Sequence, residues 1–528
     1  MSLELDGNVY HNSHACRIIL HAPPESSIEV YDLVEGKHVK DVDLLSVIGA
    51  DIVGPGTGTD SSSSTVTSMS TLNIHSYGYD NGSSLLGRVS CMGGSNFRSY
   101  RVISLQFGDP SMCQSWANAI NRIVWSSVPI TKSADEPPPP PRKYLVFVNP
   151  VSGTGCAMSV WTEEVQPMLV HAGVEVKLIV TQCANHARRL VQAEPVGAEA
   201  NGLGIPLTEY DCIMVIAGDG LVFEIINGIA GRSDAAHVLC TLPIAAVPGG
   251  TGNGLAKSVL YECGEECSAV NAVFVAVKGA SAPMDLSLVC TREQTFHSFL
   301  ILGWGLIADI DLQSEGFRWM GETRLYLAAV YFAMRRKRYR ARLSFLTATA
   351  SGSSSSIVDS GKTSSSSSVA GGADNAPTAL PPLDRAIDAA AGSGWEVVEG
   401  EFLLVWVVQT SHCTTCMYSG PGVCLDDGLL TVFVVDDMGR VELLQLLVAM
   451  DSGGHALHPK VKTYKCTAYR IEPLDLGASP EQAAGTAGVG AGSGSGGAFT
   501  VDGEQVKCGP IQGYVLPGAA RVKKLPSR

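Results

Sequence analysis

The chain has 528 residues, 45% of them hydrophobic and 17% charged, with 57 glycines and a formal net charge of -14. That length exceeds what one core usually supports, so two or three domains are expected, and the composition is globular rather than disordered. The acidic balance argues against a nucleic-acid binder, which needs a broad basic surface to neutralise phosphates.

The N-terminus, "MSLELDGNVYHN", has acidic residues and no apolar core segment, so no signal peptide is visible. Residues 1–130 alternate short β-rich runs with turns, are interrupted by "GPGTGTDSSSSTVTSMSTL", and close on "DPSMCQSWANAINRIVWSS". In that closing piece Met112, Trp116, Ala119, Ile120 and Ile123 recur at helical spacing. Strands followed by one Trp-bearing helix resemble a pleckstrin-homology-like module, which implies membrane or partner contact; a purely structural appendage is the alternative. A proline-rich linker over 131–142, with "EPPPPPRK", is stiff and marks a domain boundary.

From 143 to 283 the pattern becomes "KYLVFVNP", "CAMSVWTEEVQPMLVHAG", "VEVKLIVTQ", "NHARRLVQAE" and "YDCIMVIAG". Strand and helix alternate and the strands are unbroken apolar runs, which predicts an α/β domain with a parallel sheet covered on both faces. From 284 to 520 strands dominate and a β-rich domain, a β-sandwich, is expected to bind lipid. Ser/Gly/Ala-rich tracts over 350–380 and 475–498 read as disordered loops inserted between its strands.

No apolar run reaches the roughly 18 residues of a membrane span; "FLILGWGLIA" is too short. The 15 cysteines show no disulfide framework, which fits a reducing cytosol. Cys413, Cys416 and Cys424 lack a second close pair and read as free thiols rather than a zinc site. The basic run "RRKRYRAR" at 335–342 could face anionic lipid or phosphate, but a solvated face is the commoner use of such a run.

Three glycine turns each follow a predicted strand: "NPVSGTG" (149–155), "AGDG" (217–220) and "PGGTGNGLA" (248–256). In a parallel sheet the carboxyl ends of strands converge on one edge, so the three turns build one crevice. Glycine lets backbone amides approach phosphate oxygens, and the helix after each turn offers its positive end. None of the three is a P-loop, because the Gly-Lys-Ser/Thr ending is missing, and none has dinucleotide-binding spacing. Asp219 is a bare carboxylate on the middle turn, where a general base belongs; a turn-capping Asp is the structural alternative.

"FVNPVSGTG", "AGDGLVFEIING" and "PGGTGNGLA", in this order, resemble the nucleotide-binding signatures of the diacylglycerol kinase-like superfamily, which includes diacylglycerol, ceramide and sphingosine kinases. "LGWGLIADIDLQSEGFRWMGETRLYLAA", "LDDGLL", "DSGGHALHPKVKTYKCTAYRIEP" and "VDGEQV" narrow the resemblance to the sphingosine kinase family. It spans about 143–345 and 400–520 and leaves out the N-terminal module and the inserts. Ala217, Phe223 and Ile301 depart from the family's usual residues, and Ile301 bears on the lipid head site.

The resemblance implies transfer of the ATP γ-phosphate to the primary hydroxyl of a sphingoid base, with Mg2+, at the surface of a membrane that supplies the lipid. By the same resemblance Asp219 is the catalytic base. Asn149, Ser152, Gly153, Gly155, Thr181, Gly218, Gly220, Gly250, Thr251, Gly252, Asn253, Gly503 and Glu504 contact ATP. Arg318 and Arg324 hold its phosphates, as planar guanidiniums can, although surface ion pairs with Glu315 or Glu322 are open to them. Asp502 and Glu504 lie near magnesium. Asp311, with Asp309 as its partner, meets the cationic amine that a sphingoid base carries and a diacylglycerol or ceramide lacks. Trp304, Leu306, Ile307 and Phe317 line the alkyl chain. A ceramide or diacylglycerol kinase, or a non-catalytic lipid-binding scaffold, stand as alternatives. The expected setting is cytoplasmic, with peripheral membrane association.

Overall fold

A computed structural model describes residues 2–11, 14–21, 27–32, 38–53, 69–79, 97–125, 139–153, 155–194, 204–320, 323–347, 380–387, 394–474 and 497–526. Nearly all of the expected inserts, and residues 131–138 of the linker, fall outside these.

The N-terminal region is one antiparallel sheet of seven strands: β1 Ser2–His11, β2 His14–His21, β3 Ser27–Asp32, β4 His38–Asp43, β5 Val47–Val53, β6 Ser70–Tyr79 and β7 Arg98–Phe107. Its order is β4-β3-β2-β1-β7-β6-β5. The expected helix forms as α1, Pro110–Trp125, and buries Cys113, Trp116 and Ile120 against Val9, Ile74, Leu105 and Phe107 of the sheet. One apolar stripe is enough, because the helix covers only one face of the sheet.

The α/β domain then runs β8 Lys143–Val148, a continuous helix over 157–171, β9 Glu175–Val180, α4 His186–Gln192, β10 Cys212–Ala217, α5 Asp219–Ile229, α6 Ala235–Thr241, β11 Ile244–Pro248, α7 Gly254–Glu262 and α8 Ala269–Lys278. The helix over 157–171 comprises α2 Ala157–Val160, a π turn Trp161–Val165 and α3 Gln166–His171. The strands are parallel in the order β9-β8-β10-β11. β8 and β10 are buried along nearly their whole length, which is why their sequences do not alternate.

The remaining elements are β12 Ala280–Cys290, β13 Thr295–Ser298, β14 Ile301–Gly305, α9 Leu306–Ser314, α10 Thr323–Arg335, β15 Tyr339–Thr347, β16 Trp395–Phe402, β17 Leu404–Val408, β18 Leu430–Val435, α11 Arg440–Ala449, β19 Lys462–Pro473, β20 Phe499–Val501, β21 Glu504–Val506 and β22 Ile511–Lys524. "LIADIDLQS" is helical here, not extended. β22 joins the two parts: it runs antiparallel to β12 and β19 and touches β11 in parallel at Ile244 and Val522.

The N-terminal sheet is fastened to the α/β domain by buried polar contacts. Arg98 on β7 forms a fully desolvated ion pair with Glu265 at 2.6 Å and stacks over Phe274 at 3.6 Å. Lys278 donates to the carbonyls of Leu44 and Val47, and His171 stacks against both His75 and Tyr100, which are hydrogen-bonded to each other at 2.9 Å. Removing one partner of such a buried pair costs about 3–5 kcal/mol, so this contact fixes the module in one place.

Candidate active site

The three glycine turns meet backbone to backbone. A Cβ on Gly250 would lie 2.3 Å from Gly218 Cα, and one on Gly153 would lie 3.0 Å from the Gly250 carbonyl carbon. Only glycine permits that approach, and Gly153 also holds a φ of +57°. Ser152 Oγ accepts from the Gly218 amide at 3.1 Å and ties the first turn to the second. Asn253, itself left-handed, accepts from the amides of Gly249 and Gly250 and donates to the Gly250 carbonyl, which shapes the third turn. Asn149 accepts from the Val151 amide, and buried Thr181 sits just past β9, its amide on the Val148 carbonyl. The Thr251 amide lies 3.9 Å from the position a Cβ on Gly218 would take, which sets the third turn beside the second.

Asp219 opens α5 at this junction. One carboxylate oxygen accepts from the Gly254 amide at 2.7 Å and the other from the Leu255 amide at 3.0 Å, the first two amides of α7. The group is therefore aimed by a neighbouring helix end, a site that favours negative charge. Burial nonetheless outweighs those amides and raises its pKa above the ordinary carboxylate value. Gly252 leaves the space: a Cβ there would lie 3.0 Å from Asp219 Oδ2.

Asp311 comes to the same place from 92 positions away. The thiol of Cys413 is buried, and after burial both Asp219 and Asp311 contribute to pushing its pKa up to about 12. Around Cys413 lies an apolar cluster separate from the main core, formed by Leu306, Ile310, Phe332, Trp406, Phe433 and Met450, with half-buried Ile307, Leu325 and Met417 at its edge.

Several expected residues are placed differently. Asp309 is two positions from Asp311 on α9 and faces the other way; it is buried and accepts from the Tyr339 hydroxyl, and burial raises its pKa. Trp304 is fully buried in the main core between Phe499 and Tyr339, not in the cluster with Leu306 and Ile307. Phe317 is exposed. Asp502 is turned inward: it accepts from Ser298 Oγ and from the amides of Phe299, Leu300 and Ile301 at 2.8–3.1 Å, and burial raises its pKa to about 6. Its carboxylate closes a turn rather than facing the cleft, and no cluster of three potential metal ligands occurs among the described residues. Gly503 is exposed at a φ of +85°, and Glu504 beside it is exposed, with a carboxylate oxygen 3.8 Å from the position a Cβ on Gly220 would take. Arg324 is buried in the first turn of α10, while the side chain of Arg318 lies outside the description. In the basic run, Arg336 and Arg338 pair with Asp437 and Arg340 with Glu399.

The sequence reading missed the loop 410–420. Thr415 donates its amide to the Gly252 carbonyl at 2.9 Å, Thr414 bridges Asn253, and Ser258 on α7 exchanges two hydrogen bonds with the His412 backbone. Its one visible signal, "HCTTC", read only as thiols.

The family model described as "Diacylglycerol kinase catalytic domain" matches residues 143–289, the segment that carries all three glycine turns. "YegS C-terminal NAD kinase beta sandwich-like domain" matches 391–524. Sphingosine kinase 1 of Mus musculus is 31% identical over 72% of this chain and 90% of its own. The Homo sapiens protein of the same name is 32% identical with the same coverage. The chain belongs to the sphingosine kinase family. Sphingosine kinase 1 of Arabidopsis thaliana, 31% identical, is matched over 64% of its length and 63% of this one. Against the sphingosine kinase of mouse, the aligned share leaves room in this chain for segments outside the shared part.

Proposed function

We infer that this protein is an ATP-dependent lipid kinase that phosphorylates the primary hydroxyl of a sphingoid base. The observation that carries the reading is Asp219 held by the α7 amides where the three glycine turns meet, with the apolar cluster that includes Cys413 beside the third turn. Family membership supplies the reaction class. The glycine turns and the held Asp219 support it, because phosphoryl transfer asks a protein to hold a nucleotide and to aim a hydroxyl.

The glycine turns leave backbone amides open to phosphate oxygens, and Arg324, with Arg318, adds the positive charge the turns lack. Asp219 accepts the proton of the substrate hydroxyl as its oxygen bonds to the γ-phosphorus and the bond to ADP breaks. The α7 amides hold Asp219 in place while burial keeps it basic. Asp311 meets the ammonium beside that hydroxyl, and the cluster behind it takes the chain. Of the two acidic residues in "VDGE", exposed Glu504 would face a magnesium ion bound with the nucleotide, which would neutralise phosphate charge, whereas inward-turned Asp502 would not.

No helix among the described residues is long and apolar enough to cross a membrane. Contact with the lipid source is peripheral in this reading, through α10. That helix buries Phe332 and Ala333 against the cluster and exposes Tyr326, Leu327, Val330, Tyr331 and Met334 along its outer side. An exposed apolar stripe of this kind suits the interface of a bilayer, and it lies directly over the proposed chain pocket.

A phosphate-transfer assay with labelled ATP against sphinganine, ceramide and diacylglycerol tests the reading. Transfer to sphinganine that disappears in Asp219→Asn supports it. Preference for ceramide or diacylglycerol removes the amine argument for Asp311, and no transfer to any of the three leaves a lipid-binding scaffold.

A further inference from the structure

We propose that the loop 410–420 is a positioning strap that couples occupation of the apolar cluster to the setting of Asp219. The inference rests on the lipid-kinase reading above. One side of the strap faces lipid: Cys413 belongs to the apolar cluster and Met417 packs on its edge. The other side grips the third glycine turn. The Thr415 amide donates to the Gly252 carbonyl at 2.9 Å, Thr414 bridges Asn253, and the Cys413 carbonyl oxygen stands 2.6 Å from where a Cβ on Gly254 would be.

Gly254 and Leu255 are the residues whose amides hold Asp219. The strap also fastens α7 further along, through Ser258 to the His412 backbone and through the Tyr261 hydroxyl, which donates to that of Tyr418 at 3.3 Å. Its ends are closed on each other by the Gly420 amide on the Ser411 carbonyl, and His455 Nε2 donates to the Ser419 carbonyl from the cluster's far side. A chain that displaces Met417 or Cys413 therefore moves the same backbone that aims the base. These are positioning residues: none is required to touch the reacting atoms.

Thr415→Pro removes the amide that binds Gly252, whereas Thr415→Ala keeps it and serves as the control. Hydrogen exchange is followed in peptides covering 252–258 and 410–420, with and without sphinganine in detergent micelles. Both peptides are expected to gain protection together in the wild type. In Thr415→Pro the 410–420 peptide is expected to respond while 252–258 no longer does. Wild-type response at 410–420 alone, or an unchanged 252–258 response in Thr415→Pro, overturns the strap and leaves the lipid reading intact. No response at either peptide overturns the sphingoid-base reading and the strap with it.

A pH profile separates positioning from plain destabilisation. The titratable groups tied electrostatically to Asp219 are the Cys267 and Cys413 thiols, which also feel Lys257, Glu266, Cys416 and Asp311; Glu504 lies beside Gly220, and none of these is altered by either substitution. Loosening the Gly254 and Leu255 amides weakens their hydrogen bonds to Asp219 and raises its pKa, so the acidic limb of kcat should move to higher pH in Thr415→Pro and in Met417→Ala. Thr415→Ala should keep the wild-type limb. A limb that stays in place while activity falls only with the folded fraction overturns the proposal.

Discussion

On the side proposed to hold the nucleotide, three glycine turns meet at close backbone approach and are tied by the short side chains of Ser152 and Asn253, each turn coded within a few residues. On the side proposed to hold the lipid, the wall is assembled from side chains of α9, α10, α11, β17 and β18, drawn from sequence positions as far apart as Leu306 and Met450. A wall built from close backbone approach tolerates almost no change at the positions where backbones touch, such as Gly250. A wall built from packed side chains tolerates volume-conserving exchange and can be retuned. In the proposed reading, fixed chemistry at Asp219 and adjustable selectivity near Asp311 are thus carried by different parts of the fold.

The largest expected effect tests the fixed side. Asp219→Asn should lower kcat roughly 1,000-fold, within the usual range for losing a general base, with ATP affinity retained in calorimetry. The wild type should show the matching pH dependence. Because burial raises the pKa of Asp219, its basic form is lost as pH falls through a value above that of an ordinary carboxylate, and kcat should fall with it. A loss below tenfold in Asp219→Asn would reduce Asp219 to a turn cap.

Next comes the contrast within the glycine turns. Gly250→Ala places a methyl 2.3 Å from Gly218 Cα and must move backbone, which by misplacing the reactants should cost roughly 100-fold in kcat/KM. Gly220→Ala meets nothing closer than 3.8 Å and should stay within a few-fold of wild type. Equal effects of the two would mean that turn flexibility, not close approach, is what glycine provides here.

The same division explains what the sequence made legible. Turns, strands and the order of the α/β domain were readable because glycine spacing and unbroken apolar runs are local signals. The docking of the N-terminal sheet through Arg98 and Glu265 was not, since neither residue has a neighbour in sequence that marks it for pairing 167 positions away. Asp309 and Asp311 read as a pair because they are two apart, yet helical geometry turns them to different sides. Trp304 read as a pocket wall because apolar residues look alike until the fold assigns them to one cluster or another.

That division predicts different phenotypes for the two aspartates of α9. Asp311→Asn should lower kcat/KM for sphinganine roughly 30-fold, the equivalent of about 2 kcal/mol for a charge-assisted contact, while leaving the KM for ATP unchanged. Asp309→Asn removes the charge bonded to Tyr339 in the interior and should alter thermal stability without changing preference among lipids. Reversed results would move the amine site to the Tyr339 side of α9.

The smallest expected effect on activity separates two acidic residues of one turn. Asp502 receives four hydrogen bonds in the interior, so Asp502→Ala leaves three buried backbone amides unpaired and should lower Tm by several degrees, as losses of about 1–3 kcal/mol per unsatisfied donor imply. Because its folded pKa is raised to about 6, the protonated form favours the fold: this contribution is complete below the ordinary carboxylate value and is lost as pH rises through 6. The stability difference between Asp502→Ala and wild type should therefore be larger at pH 4.5 than at pH 7.5. Glu504 is exposed beside Gly220, and Glu504→Gln should change Tm little while raising the apparent KM for magnesium-ATP a few-fold, as an exposed charge does. A magnesium dependence that moves in Asp502→Ala and not in Glu504→Gln would place the metal on the inward face of the turn and reverse the assignment.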